Sequence, residues 1–310
     1  SSVSGDNSYQ DWVVTQGFLT EETDPVASAA GYSTGGVDGL ENYLSVDEST
    51  NTVLISGANL QVVSGSGGTA AAVNGTGNII IGYDEDNNSD KSGSHNLVVG
   101  RNHTYSSYGG IVAGLNNSIT GQASSVLGGE FNTASGQRSS ISGGRQNTAE
   151  GAKSSVSGGY GNSASGTDSS VSGGVYNTAE GDYSSVSGGS SNTASGDRSS
   201  VSGGSANIAE GPKSSVSGGW SSTASGEDSS VSGGQSNTAS GDRSSVSGGW
   251  SNTASGDRSS VSGGSGNTAQ GFRSSVSGGL GNTASGAASS VSGDAGSTFL
   301  DNSTDGNTID

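Results

Sequence analysis

Acidic and amide side chains alternate along one short segment of the chain. They are Asp84, Asp86, Asn88 and Asp90. Oxygen ligands at every second residue are typical of a calcium-binding loop, although Ser89 stands where such a loop has its turn glycine and His95 where it has its bidentate glutamate. The segment is therefore a candidate calcium site, with a solvated acidic loop as the alternative interpretation. DNSTDGNTID, at residues 301–310, is a weaker candidate, and we expect no other cofactor.

Catalytic chemistry has little support in the residue types. Histidine occurs only at His95 and His103, and serine is so abundant that a Ser-His-Asp arrangement can be drawn almost anywhere. The chain has neither a P-loop nor an H-E-x-x-H motif. We therefore predict that the protein is not an enzyme.

Composition limits the classes of protein further. Of 310 residues only 27% are hydrophobic, whereas 58 are glycine, so a conventional core is not expected. The net charge of −18 argues against nucleic acid and anionic membranes as partners, and no apolar run approaches the roughly 18–20 residues that span a bilayer. Cysteine is absent, which excludes disulfides. Methionine is absent too, so we expect a processed chain that is secreted to the outside or the surface of a bacterial cell.

A repeat of fifteen residues dominates the chain. The hydrophobic residue of S-S-V-S-G-G recurs at Ile111, Val126, Ile141 and every fifteenth residue up to Val291. The pattern continues backwards less regularly, because HNLVVG precedes GGIVAG by fourteen residues and GNIIIG precedes HNLVVG by eighteen. A short fixed period, with β-branched and small residues and glycine at the corners, predicts an all-β parallel solenoid or β-roll in which each repeat is one coil.

Alternation within the repeat assigns its faces. In S-V-S we expect the valine to point inward and its two neighbouring serines outward; in N-T-A-S we expect alanine and asparagine inward. Stacked asparagines are predicted to bond to one another from coil to coil. Only Ser222 interrupts this column, whose members are Asn132, Asn147, Asn162, Asn177, Asn192, Asn207, Asn237, Asn252, Asn267 and Asn282.

The sequence outside the regular repeat differs in composition, and the chain divides into three predicted regions. Residues 1–76 form a predicted N-terminal cap or assembly region, with strands or a hairpin within Glu41–Val63. Residues 77–293 are predicted to be the β-roll, irregular over 77–108 and regular over 109–293, and residues 294–310 are a C-terminal tail. Because an open solenoid end presents unpaired strand groups, we expect apolar residues near both ends to serve assembly. The candidates are Trp12, Val13, Val14, Phe18, Leu19, Phe299 and Leu300.

The residues at the corners differ from coil to coil. An intermittent exposed stripe that follows Gly-Gly is suited to contacts between protomers or to stacking on sugars. It consists of Phe131, Tyr160, Tyr176, Trp220, Trp250 and Leu280. Basic residues form a second column that we interpret as a charge ladder with neighbouring Asp and Glu. They are Arg138, Lys153, Arg198, Lys213, Arg243, Arg258 and Arg273.

The unit S-V-S-G-G-x-x-N-T-A-S-G-x-x-S resembles the YadA-like head repeats of trimeric autotransporter adhesins, although those usually have fourteen residues. The resemblance covers about Gly109 to Gly293 and, more loosely, the chain from Gly77. It implies a left-handed parallel β-roll that trimerises on bacterial surfaces or in fibre proteins.

Three functional hypotheses follow. The first is an extracellular structural or adhesive solenoid that assembles into filaments by head-to-tail stacking. The second is a trimeric adhesin or phage-type fibre head that binds a host ligand, and the third is an ice-binding protein that uses the T-A-S face. The expected partners are other copies of the chain, with glycan or a host surface as further candidates. Nucleic-acid binding and direct membrane insertion are not expected.

Overall fold

The computed structural model of the chain describes residues 40–85, 88–293 and 295–299. The chain divides into two compact units, residues 1–61 and 62–310. In the first unit, a 3-10 turn at Leu40–Asn42 precedes an antiparallel hairpin of β1 (Leu44–Asp47) and β2 (Thr52–Ile55). Asn51 adopts a positive φ of 52° at the tight connection, as asparagine does readily. The hairpin predicted in this segment is confirmed.

The second unit is a parallel β-solenoid, as the repeat predicts. Its strands form two parallel sheets, one of fifteen and one of fourteen strands, and successive coils contribute one strand to each. We call them the valine sheet and the alanine sheet. The valine sheet contains β3 (Ile79–Ile81), Leu97–Arg101, Ile111–Leu115, Ser125–Val126, Ser140–Ile141, Ser155–Val156, Ser170–Val171, Ser185–Val186, Ser200–Val201, Ser215–Val216, Ser230–Val231, Ser245–Val246, Ser260–Val261, Ser275–Val276 and Ser290–Val291. The alanine sheet contains Thr104–Tyr105, Ser118–Ile119, Thr133–Ala134, Thr148–Ala149, Ser163–Ala164, Thr178–Ala179, Thr193–Ala194, Ile208–Ala209, Thr223–Ala224, Thr238–Ala239, Thr253–Ala254, Thr268–Ala269, Thr283–Ala284 and Thr298–Phe299.

The strand register corrects the phase of the repeat at its start. Val112, not Ile111, pairs with Val126, and Ile111 lies on the outer surface with 40% of its area exposed. Val98 pairs with Val112, so two coils have fourteen residues, and the fifteen-residue period begins at Val126. The offset of eighteen residues between Ile80 and Val98 is confirmed, with the extra residues in the acidic loop.

The fifteenth residue is a glycine that interrupts the strand. Coils of fourteen residues have five-residue strands, such as Ile111–Leu115, whereas longer coils have a two-residue strand followed by a single bridge, such as the one between Arg145 and Tyr160. The second glycine of each pair has little freedom: Gly144 has φ 87°, and a Cβ there would collide with the carbonyl oxygen of Gly159. Gly143, by contrast, faces open space.

The core consists of thin columns rather than a three-dimensional cluster. Valine or isoleucine from one sheet and alanine from the other are exposed by 0–1% through most of the solenoid. The predicted inward positions are thus confirmed, as are the outward positions of the serines that flank each valine. Fifteen strands give fourteen steps of about 4.8 Å, so the valine sheet extends for about 67 Å.

Candidate functional site

The acidic loop holds its described carboxylates in bonds to neighbouring residues. Asp84 forms an ion pair of 2.7 Å with Lys91 and accepts a hydrogen bond of 2.9 Å from the Tyr105 hydroxyl. Burial, and then this bond to Asp84, raise the pKa of Tyr105 above its ordinary value. The Ser92 side chain and its backbone N–H lower the pKa of Asp90.

These bonds bear on the candidate calcium site. Asp86 lies outside the described residues, whereas Asn88 and Asp90 lie within them. No cluster of three or more His, Asp or Glu suited to a metal occurs in residues 40–85, 88–293 and 295–299. The two oxygens of Asp84 already have partners, so a calcium ion would have to displace Lys91 or Tyr105 to use both. Calcium binding here stays a prediction.

The asparagine column is buried, but its amides bond to the backbone instead of to one another. Nδ2 of Asn192 donates to the carbonyl oxygens of Gly188, at 2.9 Å, and of Gly204, at 3.0 Å. Its Oδ1 accepts the backbone N–H of Asn207 on the next coil at 3.0 Å. The predicted amide-to-amide contacts are therefore wrong in their partners. All ten predicted asparagines are exposed by no more than 1%.

Two residues modify this column. At Ser222 only the acceptor function is kept, because its Oγ accepts the Asn237 N–H at 3.4 Å. At the N-terminal end His103 takes the place of asparagine: Nδ1 accepts the Asn117 N–H at 3.2 Å, and Nε2 lies 3.0 Å from the Val99 carbonyl oxygen, to which it donates. His103 is fully buried, so it is a structural residue of the ladder.

A second buried polar column was not foreseen. The first serine of each S-S-V-S, such as Ser199, is exposed by about 1%. Simple alternation could have found it, since it lies two residues before the inward valine. In the described part of the chain, ten of these hydroxyl groups have no hydrogen-bond partner. They are Ser139, Ser154, Ser169, Ser184, Ser199, Ser214, Ser229, Ser244, Ser259 and Ser274.

The basic column lies at a backbone position with left-handed conformation. Arg258 has φ 58°, and its N–H donates to the Asp242 carbonyl oxygen of the preceding coil at 2.7 Å. Ion pairs with neighbouring coils include Lys213 with Glu227 at 2.9 Å, which raises the pKa of Lys213 and lowers that of Glu227. Because these side chains are about half exposed, each pair contributes little to stability.

The exposed stripe after Gly-Gly consists of two adjacent columns rather than one. Tyr160, Trp220, Trp250 and Leu280 belong to the bridge column, in which single parallel bridges join successive coils. Phe131 and Tyr176 lie one residue later, at positive φ.

Aromatic residues near the N-terminal end of this stripe have partners. The guanidinium group of Arg145 lies 5.8 Å from the centre of the Phe131 ring. Tyr160 and Tyr176 pack edge to face with centroids 5.2 Å apart, and their contact raises the pKa of Tyr176. Trp220 and Trp250, both about half exposed, make no ring or cation contact with any described residue.

Within the described residues, the first member of the valine column is incompletely covered. Ile80 belongs to the same column as Val98, yet it is 43% exposed, against 1% for Val98. At the other end, Thr298–Phe299 is the last strand of the alanine sheet. Six predicted assembly residues lie outside the described residues: Trp12, Val13, Val14, Phe18, Leu19 and Leu300.

The outer face of the valine sheet changes character along the solenoid. In the first four coils seven of the eight outward positions are apolar, and Ser125 is the exception. The seven are Ile79, Ile81, Leu97, Val99, Ile111, Ala113 and Leu127. From Ser140 onward both columns consist of serine. The outer face of the alanine sheet is more uniform, although exposed Glu150, Glu180 and Glu210 interrupt its threonine and serine columns. Ice binding by that face stays a prediction.

Comparisons with known proteins give no family assignment. A scan against protein-family models found no match, and a search of curated proteins found none either. Within the described residues, no helix has the length and apolar character needed to cross a membrane.

Proposed function

We propose that the protein is an extracellular structural and adhesive solenoid whose copies join head to tail. The C-terminal coil of one copy would stack on the N-terminal coil of the next and continue the valine sheet. The observation that carries the proposal is the exposure of Ile80, which is 43% although the equivalent residue one coil later is buried. An open parallel edge that also leaves core residues uncovered is a surface for pairing with another chain.

Geometry supports such a joint. The strand Ser290–Val291 ends the valine sheet, and β3 begins it. If Ile80 of one copy lay on Val291 of another, the contact would repeat the pairing of Val276 with Val291. Because each coil of a solenoid contacts only its neighbours, such a joint needs no other surface.

The test uses two variants of one strand. We expect uniform filaments of wild-type protein in electron micrographs, lengthening with concentration, and we expect Ile80→Lys to abolish them because it buries a charge in the joint. Ile81→Lys is the matched control, since Ile81 is 58% exposed on the outer face. Both variants should retain the β-sheet circular dichroism of the wild type. Discrete particles of constant mass at every concentration would refute head-to-tail assembly.

A trimeric fibre head is the second candidate, favoured by the apolar face of the first four coils. Exposed patches of this kind mark association surfaces. The two coils of fourteen residues also have the length usual in YadA-like head repeats, which the chain resembles. In this case light scattering would give three times the chain mass, and Leu127→Ser would lower that mass without affecting any end-to-end contact.

A further inference from the structure

Two indole rings occupy one column of the solenoid at a regular interval. Trp220, Gln235, Trp250, Ser265 and Leu280 follow one another in the bridge column. The two tryptophans and the leucine are 53%, 54% and 57% exposed, so each projects from the surface. Two coils separate one from the next, which places them about 9.6 Å apart along the axis, at about 4.8 Å per coil.

The residues that flank these rings are small and uncharged. Gly219 and Gly249 precede the indoles, and Ser221 and Ser251 follow them. The equivalent three-residue corners of the intervening coils contain only Gly, Gln and Ser.

The other end of the same column is different. There Glu130 and Arg145 form an ion pair of 3.2 Å, and the nearby aromatic rings are engaged by Arg145 or by each other. The tryptophan segment, by contrast, has three large apolar side chains on alternate coils, each more than half exposed, and no charged residue in the column between them.

We propose that this segment binds a β-1,4-linked polysaccharide that lies parallel to the solenoid axis. In water, the C–H faces of pyranose rings stack on aromatic side chains, and the sugars of cellulose and chitin have such faces. In an extended β-1,4-linked chain, successive rings are turned over, so every second ring presents the same face, and the length of two rings is close to the rise of two coils. Trp220 and Trp250 would stack on alternate rings, and Leu280 on the next.

Polar side chains lie where the intervening rings would pass. Gln235 sits between the indoles, and Ser265 sits between Trp250 and Leu280. Neither side chain has a hydrogen-bond partner in the described part of the chain, so both are available to the sugar hydroxyls. The site therefore combines stacking at every second coil with hydrogen bonding between.

A second copy of the chain fits this segment less well than a polysaccharide does. Protein interfaces bury about 800 Å² on each partner and cluster their aromatic anchors in a dry centre. Here one intervening coil lies between the indoles, and glycine and serine surround them. The inference gives the adhesive part of the proposed function a ligand class, and it does not depend on head-to-tail assembly.

The test is titration of the full chain with cellohexaose and chitohexaose, followed by calorimetry and tryptophan fluorescence. We expect at least one of them to bind, whereas maltohexaose, which is α-linked and curved, should not bind. Trp220→Ala and Trp250→Ala should each raise the Kd at least tenfold. Phe131→Ala, an exposed aromatic at the other end of the edge, is the matched control and should leave the Kd unchanged.

A register variant separates spacing from aromatic content. The double change Gln235→Trp with Trp250→Gln keeps two indoles in the same column but places them on adjacent coils, about 4.8 Å apart. We expect it to lose binding as strongly as Trp250→Ala, while its circular dichroism and melting temperature stay those of the wild type.

Several results would overturn the inference. They are failure of both β-linked sugars to bind, equal binding of maltohexaose, or full binding by the register variant. A change in particle mass, but not in sugar binding, on Trp→Ala substitution would instead assign the column to contacts between copies. Binding by cellohexaose only, chitohexaose only or both would support it and identify the source. Filament formation is scored separately by microscopy, so its failure is distinguishable from failure of sugar binding.

Discussion

Removal of one asparagine amide tests how the solenoid interior is held together. Asn192→Ala deletes two bonds that Nδ2 donates and one that Oδ1 accepts from the Asn207 N–H. The Gly204 carbonyl oxygen keeps its bond from the Ser190 N–H, at 3.0 Å. The Asn207 N–H, however, has no other partner and is left buried.

The magnitude follows from these three bonds. The two donated bonds contribute about 1 kcal/mol each, and the Asn207 N–H left buried without a partner costs about 1–3 kcal/mol, so we expect a local loss of about 3–5 kcal/mol. Ser199→Ala is the control, because Ser199 is equally buried and its hydroxyl has no partner among the described residues. Removing an unpaired buried hydroxyl should be neutral or slightly stabilising.

Hydrogen exchange is the appropriate assay, because a solenoid is stabilised by contacts between neighbouring coils and need not unfold in one step. Each 1.4 kcal/mol is a factor of ten, so amides around Asn207 should exchange about a hundredfold faster or more in Asn192→Ala. Asn192→Ser should fall between, since Ser222 keeps only the acceptor function. Equal exchange in Asn192→Ala and Ser199→Ala would refute this account of the column.

Three further predictions concern single positions. Gly151→Ala should unfold its coils, because the new Cβ would collide with the next coil, whereas Gly143→Ala should leave the melting temperature unchanged. His103→Ala should cost at least about 2 kcal/mol more than His103→Asn, since only asparagine restores both hydrogen bonds; exchange of nearby amides measures this. Because the pKa of Tyr105 is raised, the unfolded chain loses its phenolic proton first, and stability should fall as the pH rises above about 10. Tyr105→Phe should flatten that slope in alkaline melts, and an unchanged slope would contradict the assignment.

The fold was predictable from sequence because the period is exact over most of the chain and each coil repeats the same alternation. Its phase was wrong only where the pattern is ambiguous. At Ile111 and Val112 two apolar residues stand side by side, and the alignment with later coils cannot choose between them. In the structure Val112 takes the inward position, because the strand is continuous there and fourteen residues complete the coil.

The candidate sites were less predictable than the fold. The left-handed backbone at positions such as Arg258 carries no glycine to mark it; the N–H at these positions bonds to the preceding coil, which offsets the unfavourable conformation. An aromatic residue belongs to the bridge column when it is the first residue after Gly-Gly, and to the neighbouring column when it is the second. That distinction separates Trp220 and Trp250, which share a column, from Phe131 and Tyr176.

The inner corner of each coil is restricted in sequence, whereas the bridge column beside it is not. The carbonyl of Gly159 fills the space beside Gly144, and each coil repeats that contact with the next. The fourteen-residue coils keep the same contact, since a Cβ at Gly114 would collide with the carbonyl oxygen of Gly129, so the extra residue of the longer coils does not disturb it. Side chains in the bridge column are not limited by a contact of this kind, because they project outward from a backbone that the parallel bridges hold in place. Large and small residues can therefore be exchanged there freely, and a ligand can be matched by their spacing without any change in the fold.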